Sequence, residues 1–113
     1  MIKAFISYQT TDKVTAGLLK QELSNYNIDG FLAHEDLEVS DEWREEILKN
    51  FKKSPLFICL LSQSYLKSDY CIQESGMAVI ANKKVIALSL DGTLPPGFLS
   101  VFQAKKYLAK IQL

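Results

Sequence analysis

The chain has 113 residues, of which 48% are hydrophobic and 23% charged, and its 13 basic and 13 acidic residues cancel to a formal net charge of zero. This is one domain of ordinary size with enough apolar content for a packed core, so a disordered chain is excluded. The balanced charge argues against nucleic-acid binding driven by phosphate neutralisation, and the apolar runs are far too short to cross a bilayer.

In chain order, residues 2–7 read as a first strand. They lack the charged-then-long-apolar layout of a signal peptide. Residues 12–26 read as a helix, with Val14, Leu18, Leu19, Leu23 and Tyr26 at helical spacing. A short second strand is expected over 30–33. Ser40 is placed to cap a helix through Lys53, with Asp41 and Glu42 in the first turn, where negative charge suits the helix dipole. Its expected buried stripe is Trp43, Ile47 and Phe51. Pro55 forces a break, and 56–62 is a continuous apolar strand. A helix over 69–82 and a strand over 85–90 follow. Residues 91–97 form a loop, 98–101 one helical turn, 103–107 a last short strand, and 108–113 the start of a final helix.

Alternating strands and helices with near-continuous apolar strands predict a parallel sheet covered on both faces. Right-handed crossovers then give a flavodoxin-like three-layer α/β fold, with five strands in the order 2-1-3-4-5. Ligands of such sheets bind beyond the carboxyl ends of the strands, at the switch point between strands 1 and 3. The loops at that edge span 7–11, 34–39, 62–68 and 91–97.

The helix carrying Tyr70 and Glu74 starts from the same edge. These residues are four apart, so ring and carboxylate share one helix face. A carboxylate beside an aromatic suits a sugar or nucleotide whose transition state is cationic. The bland reading is a solvated surface Glu; the topological position raises the functional one.

Several chemistries are excluded. There is no G-x-G-x-x-G after the first strand and no G-x-x-x-x-G-K-(S/T), so neither a dinucleotide-binding hydride transferase nor a P-loop nucleotidase is expected. A phosphorelay receiver needs an acidic residue at the end of strand 3, where Leu61-Ser62 stand. A serine hydrolase needs a G-x-S-x-G elbow, which is absent. The loop Ser7-Tyr8-Gln9-Thr10-Thr11 lacks the glycine of a phosphate-wrapping loop. The two cysteines and the single histidine, His34, show no metal-ligand spacing. Unpatterned thiols suit a reducing compartment, so a cytoplasmic location is expected, with Cys59 buried and no disulfide.

Three boxes resemble a known family. Ala4-Phe5-Ile6-Ser7-Tyr8, followed by Asp12, resembles the first-strand box F-(I/L)-S-(Y/H) with a later Asp. Gly30-Phe31-Leu32-Ala33-His34-Glu35-Asp36 through Trp43 resembles the second strand and the long loop after it. Asp69-Tyr70-Cys71-Ile72-Gln73-Glu74 resembles the box (D/S)-x-W-C-x-x-E. In this order they resemble a TIR domain, the Toll/interleukin-1 receptor and resistance-protein module, in its bacterial form, over residues 1–113. Tyr70 replaces the family's usual Trp. The family usually has one more full helix after the fifth strand, so the chain reads as a trimmed or minimal version of a domain from a longer protein.

The resemblance implies one of two functions. Many TIR domains cleave NAD+ at the nicotinamide–ribose bond, giving nicotinamide and linear or cyclic ADP-ribose. They become active on self-association, in defence signalling. Others are non-catalytic adaptors. The third-box Glu, commonly absent from adaptors, is the catalytic residue of the enzymes and falls on Glu74. Its role would be to stabilise an oxocarbenium ion on the ribose, so that one carboxylate suffices. Phe5, Tyr8 and Trp43 are candidates to stack on substrate rings, although Trp43 also sits at core spacing. Tyr70 keeps an aromatic beside the carboxylate. Ser7 is a candidate for a ribose or phosphate, and His34 and Asp36 for shaping the loop over the site. The implied partners are NAD+ as substrate, other TIR domains and a fused or separate sensor or effector domain. No cofactor, metal, nucleic acid or membrane is expected. A nucleotide binder of the same fold without turnover is a third reading.

Overall fold

The computed structural model describes residues 1–33, 41–102 and 104–107. Strand β1 (Ile2–Ser7) leads through a 3-10 turn (Thr10–Asp12) into helix α1 (Lys13–Ser24). Strand β2 (Ile28–Leu32) and helix α2 (Asp41–Lys53) come next. Strand β3 (Leu56–Leu61) feeds a short helix α3 (Gln63–Leu66) and then α4 (Asp69–Ile80). Strand β4 (Lys84–Ser89), a 3-10 segment (Gly97–Val101) and strand β5 (Lys105–Lys106) complete the order.

All four strand pairings are parallel, and the sheet order is β2-β1-β3-β4-β5. The expected flavodoxin-like α/β fold is therefore the observed one, with its switch point between β1 and β3. Successive side chains on a strand point to opposite faces, and β1 shows this directly. Ala4 and Ile6 join Ala16 and Leu19 of α1 on one face, while Phe5 joins Trp43, Ile47 and Phe51 of α2 and Cys71 and Ala78 of α4 on the other. Helices thus cover both faces.

Several expectations shift in detail. β2 begins at Ile28, which pairs with Ile2 across the ladder. α1 ends at Ser24 because Asn27 turns the chain at φ 62°, a left-handed conformation that Asn tolerates. Tyr26 therefore falls beyond the helix and is exposed, as is Val14, while the buried face of α1 is carried by Ala16 and Leu19. The small Ala16 lets that helix approach the sheet. α2 buries the expected stripe of Trp43, Ile47 and Phe51.

Residues expected as loop after β3 form α3, because the Ser62 hydroxyl caps it by accepting the Tyr65 N–H at 3.2 Å. Gly30 is closely packed: a Cβ there would lie 2.9 Å from Ile6 Cδ1 and would have to displace the end of that side chain. Both cysteines are free and buried. No helix among the described residues is long and apolar enough to cross a membrane. The Ser40 cap, the loop over 34–39 and the final helix over 108–113 lie outside the described residues.

Candidate active site

Two elements meet at the carboxyl edge of β1. Ser7 ends that strand, fully buried, on the face opposite Ala4 and Ile6. α4 is capped by Ser68, whose hydroxyl accepts the Cys71 N–H at 3.3 Å. From there Tyr70, Gln73, Glu74 and Met77 follow at three-, four- and seven-residue spacing, which places them on one helix face. Glu74 is only 4% exposed. Its Oε1 accepts the Ser7 hydroxyl at 2.8 Å. The solvated-surface reading of Glu74 therefore fails, since a buried carboxylate needs such a donor to offset its lost hydration.

The Tyr65 hydroxyl lies 2.9 Å from Ser7 Oγ and 3.2 Å from the Cys71 carbonyl oxygen, to which it can also donate. Burial pushes the Tyr65 phenol well above its usual value, so it is a neutral, protonated group. Burial likewise pushes the Cys71 and Cys59 thiols up to about 12.

On its other side Glu74 walls a cavity of about 170 Å³ between α2 and α4. Trp43, Arg44 and Ile47 contribute from α2, and Tyr70, Gln73 and Met77 from α4. The Trp43 and Tyr70 rings meet edge to face, 5.4 Å between centroids at 90°, an arrangement that aromatic quadrupoles favour. Trp43 is buried, whereas Tyr70 is 41% exposed and forms an open flank. The result is a mainly apolar hollow with the buried Glu74 and with Arg44 among its lining residues. In such surroundings a negative charge stabilises a nearby cation more strongly than it would in water. Among the described residues, the cavity wall holds no carboxylate besides Glu74.

The structure brings Ser7, Trp43, Tyr70 and Glu74 together. Phe5 is not at the site. It is fully buried, stacked on Phe57 at 5.7 Å and edge-on to Phe51 at 5.5 Å, so neither ring face is open to a ligand. Tyr8 is also fully buried and packs with Ala4, Ile6 and Ala16, on the sheet face away from Glu74. Both are corrected from stacking candidates to core residues. Trp43 serves as core and cavity wall at once. His34 and Asp36 lie outside the described residues. Arg44, Gln73 and Met77 were not singled out by sequence, although Gln73 and Met77 were discoverable from their helical spacing to Tyr70. Tyr65 was marked by sequence only as one of the polar and aromatic groups in the 62–68 loop at the carboxyl edge, with no role assigned.

A family model described as the TIR domain matches residues 4–112. The probable 2' cyclic ADP-D-ribose synthase BdTIR of Brachypodium distachyon is 28% identical over 91 residues, covering 79% of this chain. The chain spans 41% of that relative's length. Among solved structures, the TIR domain of the Toll-related receptor TRR-2 from Hydra magnipapillata superposes with a TM-score of 0.76 at 18% identity, over 92% of this chain and 82% of that one. The TIR domains of the activated Roq1 resistosome, which recognises the pathogen effector XopQ, give 0.64 at 20% identity, over 82% and 60%. The 2-desoxiribosyltransferase from Leishmania mexicana gives 0.66 at 10% identity, over 84% and 69%. At these identities the solved structures share the fold.

Proposed function

The chain belongs to the TIR domain family, and from that premise we propose that it cleaves the nicotinamide–ribose bond of NAD+, releasing nicotinamide and a linear or cyclic ADP-ribose. The observation that carries this reading is Glu74, buried, bonded to Ser7 and forming one wall of the cavity beside Trp43 and Tyr70. The Brachypodium relative, named as a probable cyclic ADP-ribose synthase, supports a reaction of this class.

The chemistry asks little of the protein beyond charge placement. The C1′–N bond breaks with both electrons passing to the pyridinium nitrogen, so nicotinamide leaves neutral without a proton donor. Positive charge gathers on the ribose, and the Glu74 carboxylate stabilises it. Water, or a hydroxyl of the same substrate, then bonds to C1′ and loses a proton. One preorganised charge of this kind contributes roughly 10²–10³ in rate.

The cavity of about 170 Å³ is smaller than the roughly 300–1,000 Å³ usual for small-molecule sites. It suits the nicotinamide–ribose end of the dinucleotide. This size supports a second proposal, that self-association completes the site and switches activity on.

The test is incubation of concentrated protein with NAD+, with nicotinamide and the ADP-ribose product separated and quantified. Release of nicotinamide, abolished by Glu74→Ala, is the expected result. Absence of release at every protein concentration, and in an artificially oligomerised fusion, would overturn it in favour of the adaptor reading.

A further inference from the structure

Ser7 ends β1 and Tyr65 lies in α3; Ser7 bonds the Glu74 carboxylate, and Tyr65 bonds Ser7. Ser7 Oγ is 2.8 Å from Glu74 Oε1 and 2.9 Å from the Tyr65 hydroxyl. All three residues are almost fully buried. Among the oxygens, two hydroxyl protons serve three contacts, counting the Cys71 carbonyl at 3.2 Å; the Cys71 thiol is a further hydrogen-bond partner of Ser7. With Glu74 ionised, the carboxylate only accepts. The two shorter contacts then take the protons: Tyr65 donates to Ser7, and Ser7 donates to Glu74. Hydroxyl chains of this kind polarise one another, and they do so most strongly away from water.

We propose that Ser7 and Tyr65 are positioning residues, a two-hydroxyl relay that holds the Glu74 carboxylate in one rotamer at the cavity wall and does not itself touch substrate. This revises the sequence-based reading of Ser7 as a ribose or phosphate ligand and adds Tyr65, which no motif identifies. The burial of Ser7 supports it, because every contact its hydroxyl shows is internal. The assignment rests on Glu74 being the charge-stabilising residue. A carboxylate misplaced by a fraction of an ångström to an ångström loses much of its effect on a developing charge.

Tyr65→Phe and Ser7→Ala remove one hydroxyl each, and Tyr65→Phe leaves the ring packing intact. For nicotinamide release, each should lower kcat about 10- to 100-fold with KM little changed. Ser7→Thr, which restores the hydroxyl, should recover most of the loss. The double variant should be no worse than the poorer single one, as expected for two members of one chain. Side-chain scalar couplings of Glu74, measured by NMR without substrate, should report one rotamer in the wild type and averaging in Tyr65→Phe and Ser7→Ala. A raised KM with unchanged kcat would make Ser7 a substrate contact and overturn the proposal. So would a single Glu74 rotamer in both variants. If the wild type releases no nicotinamide, the NAD+ reading fails on its own, and the couplings alone decide whether the relay holds the carboxylate.

Discussion

Glu74 decides more than any other residue here. Glu74→Gln keeps the shape and still offers Ser7 an oxygen acceptor, so melting temperature should change little. The charge is gone, and nicotinamide release should fall by roughly 10²–10³. Equal turnover by wild type and Glu74→Gln at matched concentration would reduce Glu74 to a structural carboxylate. The cysteines give a second prediction at this scale. Both thiols shift from 9.0 to about 12 because burial disfavours the thiolate. The folded chain therefore keeps protons that the unfolded chain releases. That stabilisation is full below about pH 9 and is lost as pH rises toward 12. From about pH 9 the thiols drive the loss, which Lys83, held below 10.5 by burial, opposes; above about pH 10 the phenols of Tyr65 and Tyr107, raised chiefly by burial, add to it. Melting temperature should fall with alkalinity from about pH 9, and replacing both cysteines by alanine should flatten the first part of that fall. Rapid alkylation of either thiol in the native protein at neutral pH would contradict their burial.

At the scale of elements, the loops at the carboxyl edge are tied to one another across the sheet. Ser62 donates to Asp12 Oδ2 at 2.8 Å while capping α3. The Gln63 N–H donates to Asp91 Oδ2 at 3.1 Å, and its side-chain amide to Thr93 Oγ1 at 3.1 Å. This belt joins the ends of β1, β3 and β4 beside the candidate site. Ser62→Ala removes a cap and a partner of Asp12, and should cost about 1–2 kcal/mol in urea unfolding; a loss within error would mean that water replaces both bonds. Asp91 is held below its ordinary value of 3.8 by the Thr93 hydroxyl first and the Gln63 N–H next. Its contribution is present above that value and is lost as pH falls through the lower folded one. The gap in melting temperature between wild type and Asp91→Asn should therefore shrink once the pH drops below 3.8. A gap constant down to acid pH would show that the carboxylate charge does not tie the belt.

At the scale of the whole molecule, the sheet separates two cores, and the separation sorts the site. Phe5 and Ser7 share one face, but Phe5 lies deep among Phe31, Phe51 and Phe57 while Ser7 reaches the edge. In the proposed function, the cavity that results takes one end of a dinucleotide. If a second copy supplies the remainder, mass action makes active species a steep function of concentration, and specific activity should rise on concentrating the protein. Constant specific activity over about a hundredfold dilution would place the complete site in one protomer.

Much of this was legible in the linear chain. Short apolar runs marked the strands and amphipathic stretches the helices, and their alternation left one economical sheet order. The stripe Trp43, Ile47 and Phe51 was readable because α2 presents a single apolar face. The pairing of Tyr70 with Glu74 was readable because residues four apart on a helix share a side. These are local properties, set by backbone geometry within a few residues. Period-two alternation also separates Tyr8 from Ser7, although the motif groups them. What no local rule supplies is the Ser7–Glu74 bond, across 67 positions, or the Ser7–Tyr65 contact, across 58. Those depend on the parallel register of β1 with β3 and on the rotation of α4 about its axis. Both are decided only when the aromatic core packs as a unit, so the tertiary structure alone turned an acidic residue on an amphipathic helix into a buried, oriented carboxylate.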